Sequence, residues 1–197
     1  MIEEYDINGS RYEREVLPSC ADTEFDMVRN GWYFADRTLK VSIQFSKVTA
    51  DLKWLQKLPI VETLDYREDI FRIAHESFTR DRRFHVAPKC DQAVSAVVLR
   101  DWVDNLGNTL VCLYHEKPIG FLNLKDNFVH LAAVEARYRM TGAALGLYAR
   151  AIELARDRGF KTLDGRVSSI NTPVITLYAS FGAVFSDPED TFLRKLP

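Results

Sequence analysis

Between Phe128 and Val167 the apolar period of the chain changes from two to about 3.6 and back to two. FVHLAAVE reads as a strand. From about Thr141 to Arg158 the pattern is helical, with Leu145, Tyr148, Ile152 and Ala155 on the buried stripe and Gly159 as the stop signal. KTLDGRV reads as a strand again. These segments make a β-α-β unit, and the elements around it are equally regular. Upstream, NTLVCLYH and GFLNLK read as strands joined through Glu116, Lys117 and Pro118, and Asp126-Asn127 turns the chain into the third strand. Downstream, Asn171 or Thr172 with Pro173 starts a helix that ends near Phe181-Gly182, and TFLRKL is the last strand. From Asn108 the order is therefore β-β-β-α-β-α-β. Antiparallel strands that lead into a β-α-β unit require a mixed sheet with helices on its faces, which excludes an all-helical bundle and a β-sandwich for this half.

The amino-terminal half is less regular. Trp32 to Phe45 contains a strand in which Val41, Ile43 and Phe45 alternate with Lys40, Ser42 and Gln44. Pro59 punctuates the chain, and Val61 to Leu64 is a further short strand. Arg67 to Phe78 is helical, with Ile70, Ile73, Ala74 and Phe78 on one face. A second helix covers about Asp91 to Asn105, with Val94, Val98 and Trp102 on a stripe and Gly107 just beyond its end. The organisation expected is a small subdomain over 1–60 and a larger domain over 61–197.

Composition removes several classes of function. A chain of 197 residues that is 47% hydrophobic can bury one sizeable core. Its net charge is 26 − 28 = −2, so there is no global field to hold a nucleic acid. No apolar run approaches the roughly 18 residues of a membrane span. The first residues, MIEEYDING, are acidic and polar, unlike a secretory signal, and the expected location is the cytoplasm. Cys20, Cys90 and Cys112 are odd in number and show no CxxC spacing, so neither a disulfide framework nor a metal site is expected. Cys112, in LVCLY, reads as a small core residue.

The stretch with chemical content is HLAAVEARYRMTGAALGLY. The first turn of a helix carries backbone N–H groups without internal partners at the positive end of the dipole. Gly142, Ala143 and Ala144 are small enough for a phosphate to approach that backbone. The segment is neither GxxxxGK[ST] nor GxGxxG, so a kinase or a dinucleotide-dependent dehydrogenase fits poorly. Arg139-x-x-Gly142-x-Ala144, set between a strand and a helix, resembles the [QR]-x-x-G-x-[GA] motif of the GNAT superfamily of acetyl-CoA-dependent N-acyltransferases. NTPVITLYASFGA supplies the second likeness: Asn171, Tyr178 seven residues on, then Phe181-Gly182. The resemblance covers roughly Asn108 to Pro197.

That resemblance implies an α/β (mixed α+β) fold, with a mixed, mostly antiparallel central sheet flanked by helices and a small N-terminal α/β subdomain. It implies acetyl-CoA as cosubstrate and no metal. The strand Val129 to Val134 would splay from its neighbour, and backbone groups of Leu131, Ala133 and Val134 would pair with the pantetheine arm. One of those N–H groups would polarise the thioester carbonyl. Arg139, Met140, Thr141, Gly142, Ala143 and Ala144 would hold the pyrophosphate, and Asn171 would contact the cofactor arm. Tyr178 would protonate the departing thiolate, a task suited to a phenol that is neutral at working pH. The amine needs a base or a water chain; Glu135 leads, followed by His130 and Glu68.

HESFTRDRRFHVAPK resembles a subgroup of the same superfamily, the TDP-fucosamine type that acetylates nucleotide-linked deoxy-aminosugars. The residues that carry the likeness are Phe78, Asp81, Arg82, Arg83, Phe84, His85 and Trp102. It implies that Arg82 and Arg83, with Arg80, grip a substrate diphosphate through forked donors, and that Phe84 or His85 stacks on a base or sugar. The acceptor expected is the primary amine of a small molecule, an NDP-aminosugar, with no nucleic-acid or membrane partner and a monomeric or homodimeric enzyme. A peptide amine as acceptor, or an acyl-CoA sensor without turnover, are the alternatives.

Overall fold

The computed structural model describes residues 2–7, 10–78 and 92–196. Its strands are β1 (Ile2–Ile7), β2 (Ser10–Pro18), β3 (Tyr33–Gln44), β4 (Ile60–Thr63), β5 (Thr109–Tyr114), β6 (Lys117–Lys125), β7 (Phe128–Val134), β8 (Thr162–Ser168) and β9 (Val184–Lys195). Its helices are α1 (Ala21–Arg29), α2 (Leu52–Leu55), α3 (Arg67–Ser77), α4 (Gln92–Asp104), α5 (Ala143–Asp157) and α6 (Thr172–Ser180), with 3₁₀ turns over Phe45–Lys47 and Ala136–Thr141. Among the described residues the strands form one nine-stranded sheet in the order β1-β2-β9-β3-β8-β7-β6-β5-β4. Every neighbouring pair is antiparallel except β7 with β8. This is the mixed, mostly antiparallel sheet that the order of elements requires.

Strands β5 to β7 are covered on both faces. On one face, α5 lays Leu147, Tyr148, Ala151, Ile152 and Ala155 against Leu110, Cys112, Leu122, Val129 and Val134. On the other, Ile70, Ile73 and Ala74 of α3 and Leu99 and Val103 of α4 meet Val111, Phe121 and Leu131. The alternation of Leu110, Val111 and Cys112 between the two clusters is the period-two geometry of a strand. Each large aliphatic side chain buried here contributes about 1.5–3 kcal/mol. Burial also pushes the Cys112 thiol up to about 11, as suits a packing residue and not a nucleophile. Leu145 of the expected α5 stripe is only partly buried; on α4 Leu99 and Val103 are buried and Trp102 packs at the margin, while the side chains of Val94 and Val98 lie outside those described.

The β5–β6 connection is tighter than expected. It turns at His115 and Glu116, whose φ values of 46° and 62° give the left-handed pair of a two-residue hairpin. Lys117 and Pro118 already belong to β6, and the register shift after Cys112 accommodates the proline.

The first 44 residues supply strands to this same sheet. β3 lies between β8 and β9: Thr38–Gln44 pairs with Ser168–Thr162, and Tyr33–Ser42 pairs with Leu193–Val184. Its Val41 and Ile43 are fully buried against Leu163, Val167 and Tyr178 of the main core. Arg37 and the buried Asp190 of β9 add a forked pair across that junction, Nε to Oδ1 at 2.6 Å and Nη2 to Oδ2 at 2.8 Å. No helix among the described residues is long and apolar enough to cross a membrane.

Candidate active site

The sheet splits between β7 and β8. Their parallel ladder joins only Phe128 with Asp164 and Val129 with Gly165. On the other edge of β7, Asn123 pairs with Leu131 and Leu124 with Val129, so His130 is an extra residue in the strand, a β-bulge. A bulge bends a strand and raises its twist, and this one stands at the residue where β8 is lost. From there β7 stays with β6, and Glu135 N–H continues that ladder to Ile119 O at 2.9 Å. Gly120 lets the two strands close up, since a Cβ there would lie 2.8 Å from Val134 Cγ2. β8 is paired along its whole length to β3 instead. Leu131, Ala133 and Val134 therefore line the β7 side of a gap whose two walls are each held by another strand. Leu131 and Ala133 belong to the α3/α4 core, and Val134 faces α5.

At the open end of the gap the chain makes a 3₁₀ turn before α5. Thr141 Oγ1 donates to Tyr138 O at 2.7 Å, and Arg139 Nε donates to Val134 O at 3.2 Å, tying the loop back to the end of β7. Gly142 has φ +85°, and α5 starts at Ala143, not at Thr141 as its period suggested. The left-handed residue interrupts the right-handed run, and only glycine takes that conformation without strain. Gly146 N–H reaches Gly142 O at 2.9 Å, so the N–H groups of Ala143, Ala144 and Leu145 precede the first helical bond and receive no side-chain cap. Nothing within 4 Å would obstruct a Cβ on Gly142. Met140 beside it is 97% exposed.

At the closed end stands Tyr178. It is buried on α6, and a Cβ on Gly165 would lie 2.8 Å from its hydroxyl and 3.6 Å from Val129 Cβ. The hydroxyl thus rests against the last residue pair before the strands part. Tyr148 Oη of α5 donates to Tyr178 Oη at 3.1 Å, with the rings edge to face at 5.0 Å. Burial pushes the Tyr178 phenol up to about 12, although the hydrogen bond from Tyr148 pulls the other way. Gly165→Ala should therefore displace the Tyr178 hydroxyl and cost about 1–3 kcal/mol as an overpacked core. A thermal melt that leaves Gly165→Ala as stable as wild type would contradict this contact.

Other expected residues lie elsewhere or are already engaged. Glu135 is buried at the end of β7, and both its oxygens are taken: Arg72 Nη1 of α3 lies 2.7 Å from Oε1, and Arg137 Nε donates to Oε2 at 2.9 Å. That arrangement ties α3 to the start of the loop, with one arginine on each carboxylate oxygen. The Arg72 guanidinium is correspondingly held above its ordinary range, chiefly by this bond. Glu68 is engaged by both Nη atoms of Arg100, at 2.9 and 2.7 Å, which joins α3 to α4. His130 is exposed in the bulge, and partial desolvation with the charge of Lys125 holds its imidazole below the ordinary value. Asn171 caps α6, its Oδ1 accepting from Val174 N–H at 3.4 Å. Arg82, Arg83 and His85 lie outside the described residues. Three residues of the site carried no functional reading in the sequence: Tyr148, Gly165 and Arg72. A lone glycine inside the strand TLDGRVS is the one signal that pointed to a close approach.

Residues 67–183 match the family model of the acetyltransferase (GNAT) family. A comparison with curated protein sequences finds no significant match. Solved structures share the fold at low identity. A conserved protein of unknown function from Staphylococcus epidermidis superposes with a TM-score of 0.65 at 14% identity, over 92% of this chain and 71% of that one. A GCN5-related N-acetyltransferase from Sphaerobacter thermophilus gives 0.61 at 13%, over 94% and 60%. A GNAT-family acetyltransferase from Colwellia psychrerythraea gives 0.58 at 11%, over 92% and 64%. The split sheet and the glycine-opened helix thus stand in a fold shared with acyl-transferring proteins. The chain belongs to the GNAT family of acetyltransferases.

Proposed function

We propose that the protein transfers the acetyl group of acetyl-CoA to the primary amine of a nucleotide-linked deoxy-aminosugar by direct attack. The observation that carries the reading is the alignment of three features along one gap: free helix donors after Gly142, an unpaired edge of β7, and the Tyr178 hydroxyl where β7 and β8 meet. The pyrophosphate would lie on the N–H groups of Ala143 and Ala144, and the thioester carbonyl would accept from the free edge of β7. The neutral amine attacks that carbonyl carbon, the carbon–sulfur bond breaks, and the thiolate takes the Tyr178 proton. The proton lost by the amine leaves through water and restores Tyr178. The preference for an aminosugar nucleotide comes from the arginines of TRDRRFH, which suit a diphosphate and have no counterpart need in a peptide.

The reading is tested first at the cosubstrate. Gly142→Glu places a charge before the helix donors and a side chain at φ +85°. Calorimetric titration should show CoA affinity falling at least tenfold, about 1.4 kcal/mol; unchanged affinity in a folded variant refutes the phosphate site. The acceptor is then read from thiol release with a panel of amines: a TDP-linked amino-dideoxyhexose, the free aminosugar and a lysine peptide. Highest kcat/KM for the nucleotide sugar supports the proposal, and preference for the peptide overturns the acceptor while leaving acetyl transfer intact.

A further inference from the structure

The scheme above leaves unused a buried hydroxyl that touches Tyr178. Tyr148 lies on α5 with its ring fixed from two sides, edge to face with Tyr178 at 5.0 Å and stacked on Phe181 at 6.5 Å. Its hydroxyl makes the 3.1 Å bond to Tyr178 Oη described above, as donor. A phenol has one proton to give and two lone pairs to receive. Having accepted from Tyr148, Tyr178 keeps its own proton for a third group. The directions available to that proton are narrowed further by Gly165, whose missing Cβ leaves the hydroxyl against the β7–β8 junction. When the proton departs, a negative charge remains on a buried oxygen. Such a charge is costly unless a donor already points at it. Burial keeps the Tyr148 phenol well above its ordinary range, so it holds its proton throughout.

We infer that Tyr148 is a positioning residue for acyl transfer: its hydroxyl aims the Tyr178 proton into the gap between β7 and β8 and supports the charge left on Tyr178 Oη. The inference rests on Tyr178 being the proton donor, as proposed above. Atoms balance without a further reactant. The Tyr178 O–H bond breaks, its proton passes to the thiolate sulfur, Tyr148 keeps its own proton, and the proton shed by the amine returns to Tyr178 through water.

Tyr148→Phe removes the donor and keeps the ring. With the best amine of the panel, kcat should fall about tenfold, as expected for a hydrogen bond to a developing charge. The KM for acetyl-CoA should change less than about twofold, a split that loosened packing would not give. Tyr148→Phe combined with Tyr178→Phe should be no slower than Tyr178→Phe alone, because Tyr148 acts only through its neighbour. If Tyr178→Phe is impaired while Tyr148→Phe keeps wild-type kcat, or if the two losses multiply, the positioning role is wrong and the acid assignment stands. If Tyr178→Phe itself keeps wild-type kcat, the acid assignment fails first. Should Tyr148→Phe not fold, 3-fluorotyrosine installed at 148 keeps the hydroxyl as a stronger donor. It should raise kcat, and an unchanged or lower kcat overturns the inference.

Discussion

Tyr178→Phe should lower kcat by about 10²–10³ while CoA affinity stays nearly constant. The substitution removes one oxygen and leaves the ring against Val41 and Gly165, so ground-state binding has little to lose. The lost interaction is made with the departing sulfur, and general acid groups are worth about 10²–10⁴ in rate. The pH dependence follows from the shift. Burial pushes the Tyr178 phenol up to about 12, above the ordinary 10 of a phenol, so its acid form persists through the range where an acceptor amine becomes neutral. The wild-type rate should therefore show no alkaline limb near pH 10 that disappears in Tyr178→Phe. Stability will fall as well, because Tyr148 Oη loses its acceptor in a dry environment, at a cost of about 1–3 kcal/mol. Steady-state thiol release, CoA titration and a thermal melt on the same two proteins check all three statements. A variant that keeps more than about a third of wild-type kcat, with chemistry rate-limiting, would remove Tyr178 from the reaction.

Ile43→Ala should destabilise the protein by about 2–5 kcal/mol. Ile43 is fully buried, on a strand flanked on both sides, and its loss opens a cavity between β8, β9 and the α6 face. For a chain of this size each kcal/mol lowers Tm by about 2–4 °C, so a drop of about 4–20 °C is expected. Val28→Ala, on the half-exposed face of α1, serves as the contrast and should change stability by less than about 0.5 kcal/mol. Equal melts for the two variants would mean that β3 is a peripheral addition.

Which parts of this architecture could be read in advance depended on where each residue finds its partner. FVHLAAV, the α5 repeat and TLDGRVS carry their own periods, so the β-α-β unit was visible without any tertiary knowledge. The alternation of Val41 and Ile43 likewise marked β3 as a strand, but nothing local could say that it would enter between β8 and β9. β1, β2 and α1 were missed. In RYEREVLP the charges are too dense for a clear apolar face, and β2 is stabilised by pairs such as Arg194 with Glu13 whose members lie at opposite ends of the chain. The site divides in the same way. Gly142, Ala143 and Tyr178 sit in short motifs, whereas the occupation of Glu135 by Arg72 and the bond between Tyr148 and Tyr178 are meetings of distant segments.

The place of β3 also governs how the molecule can be assembled as it is made. β3 ends at Gln44 and its first neighbour, β8, begins at Thr162, so the two edges that must zip together are 162 − 44 = 118 positions apart in sequence. During translation β3 leaves the ribosome with both edges bare, and such edges invite pairing with other chains. The β5–β7 meander can close as soon as its two hairpins are out, and β4 is already made by then. The opposite wall of the gap waits until β8 and β9 have both emerged to clasp β3, and pairings of such long range are slow. A nascent chain of this protein therefore carries half a cleft for much of its synthesis, with a sticky strand held in reserve, and shielding of that strand by a chaperone would set the yield of folded enzyme.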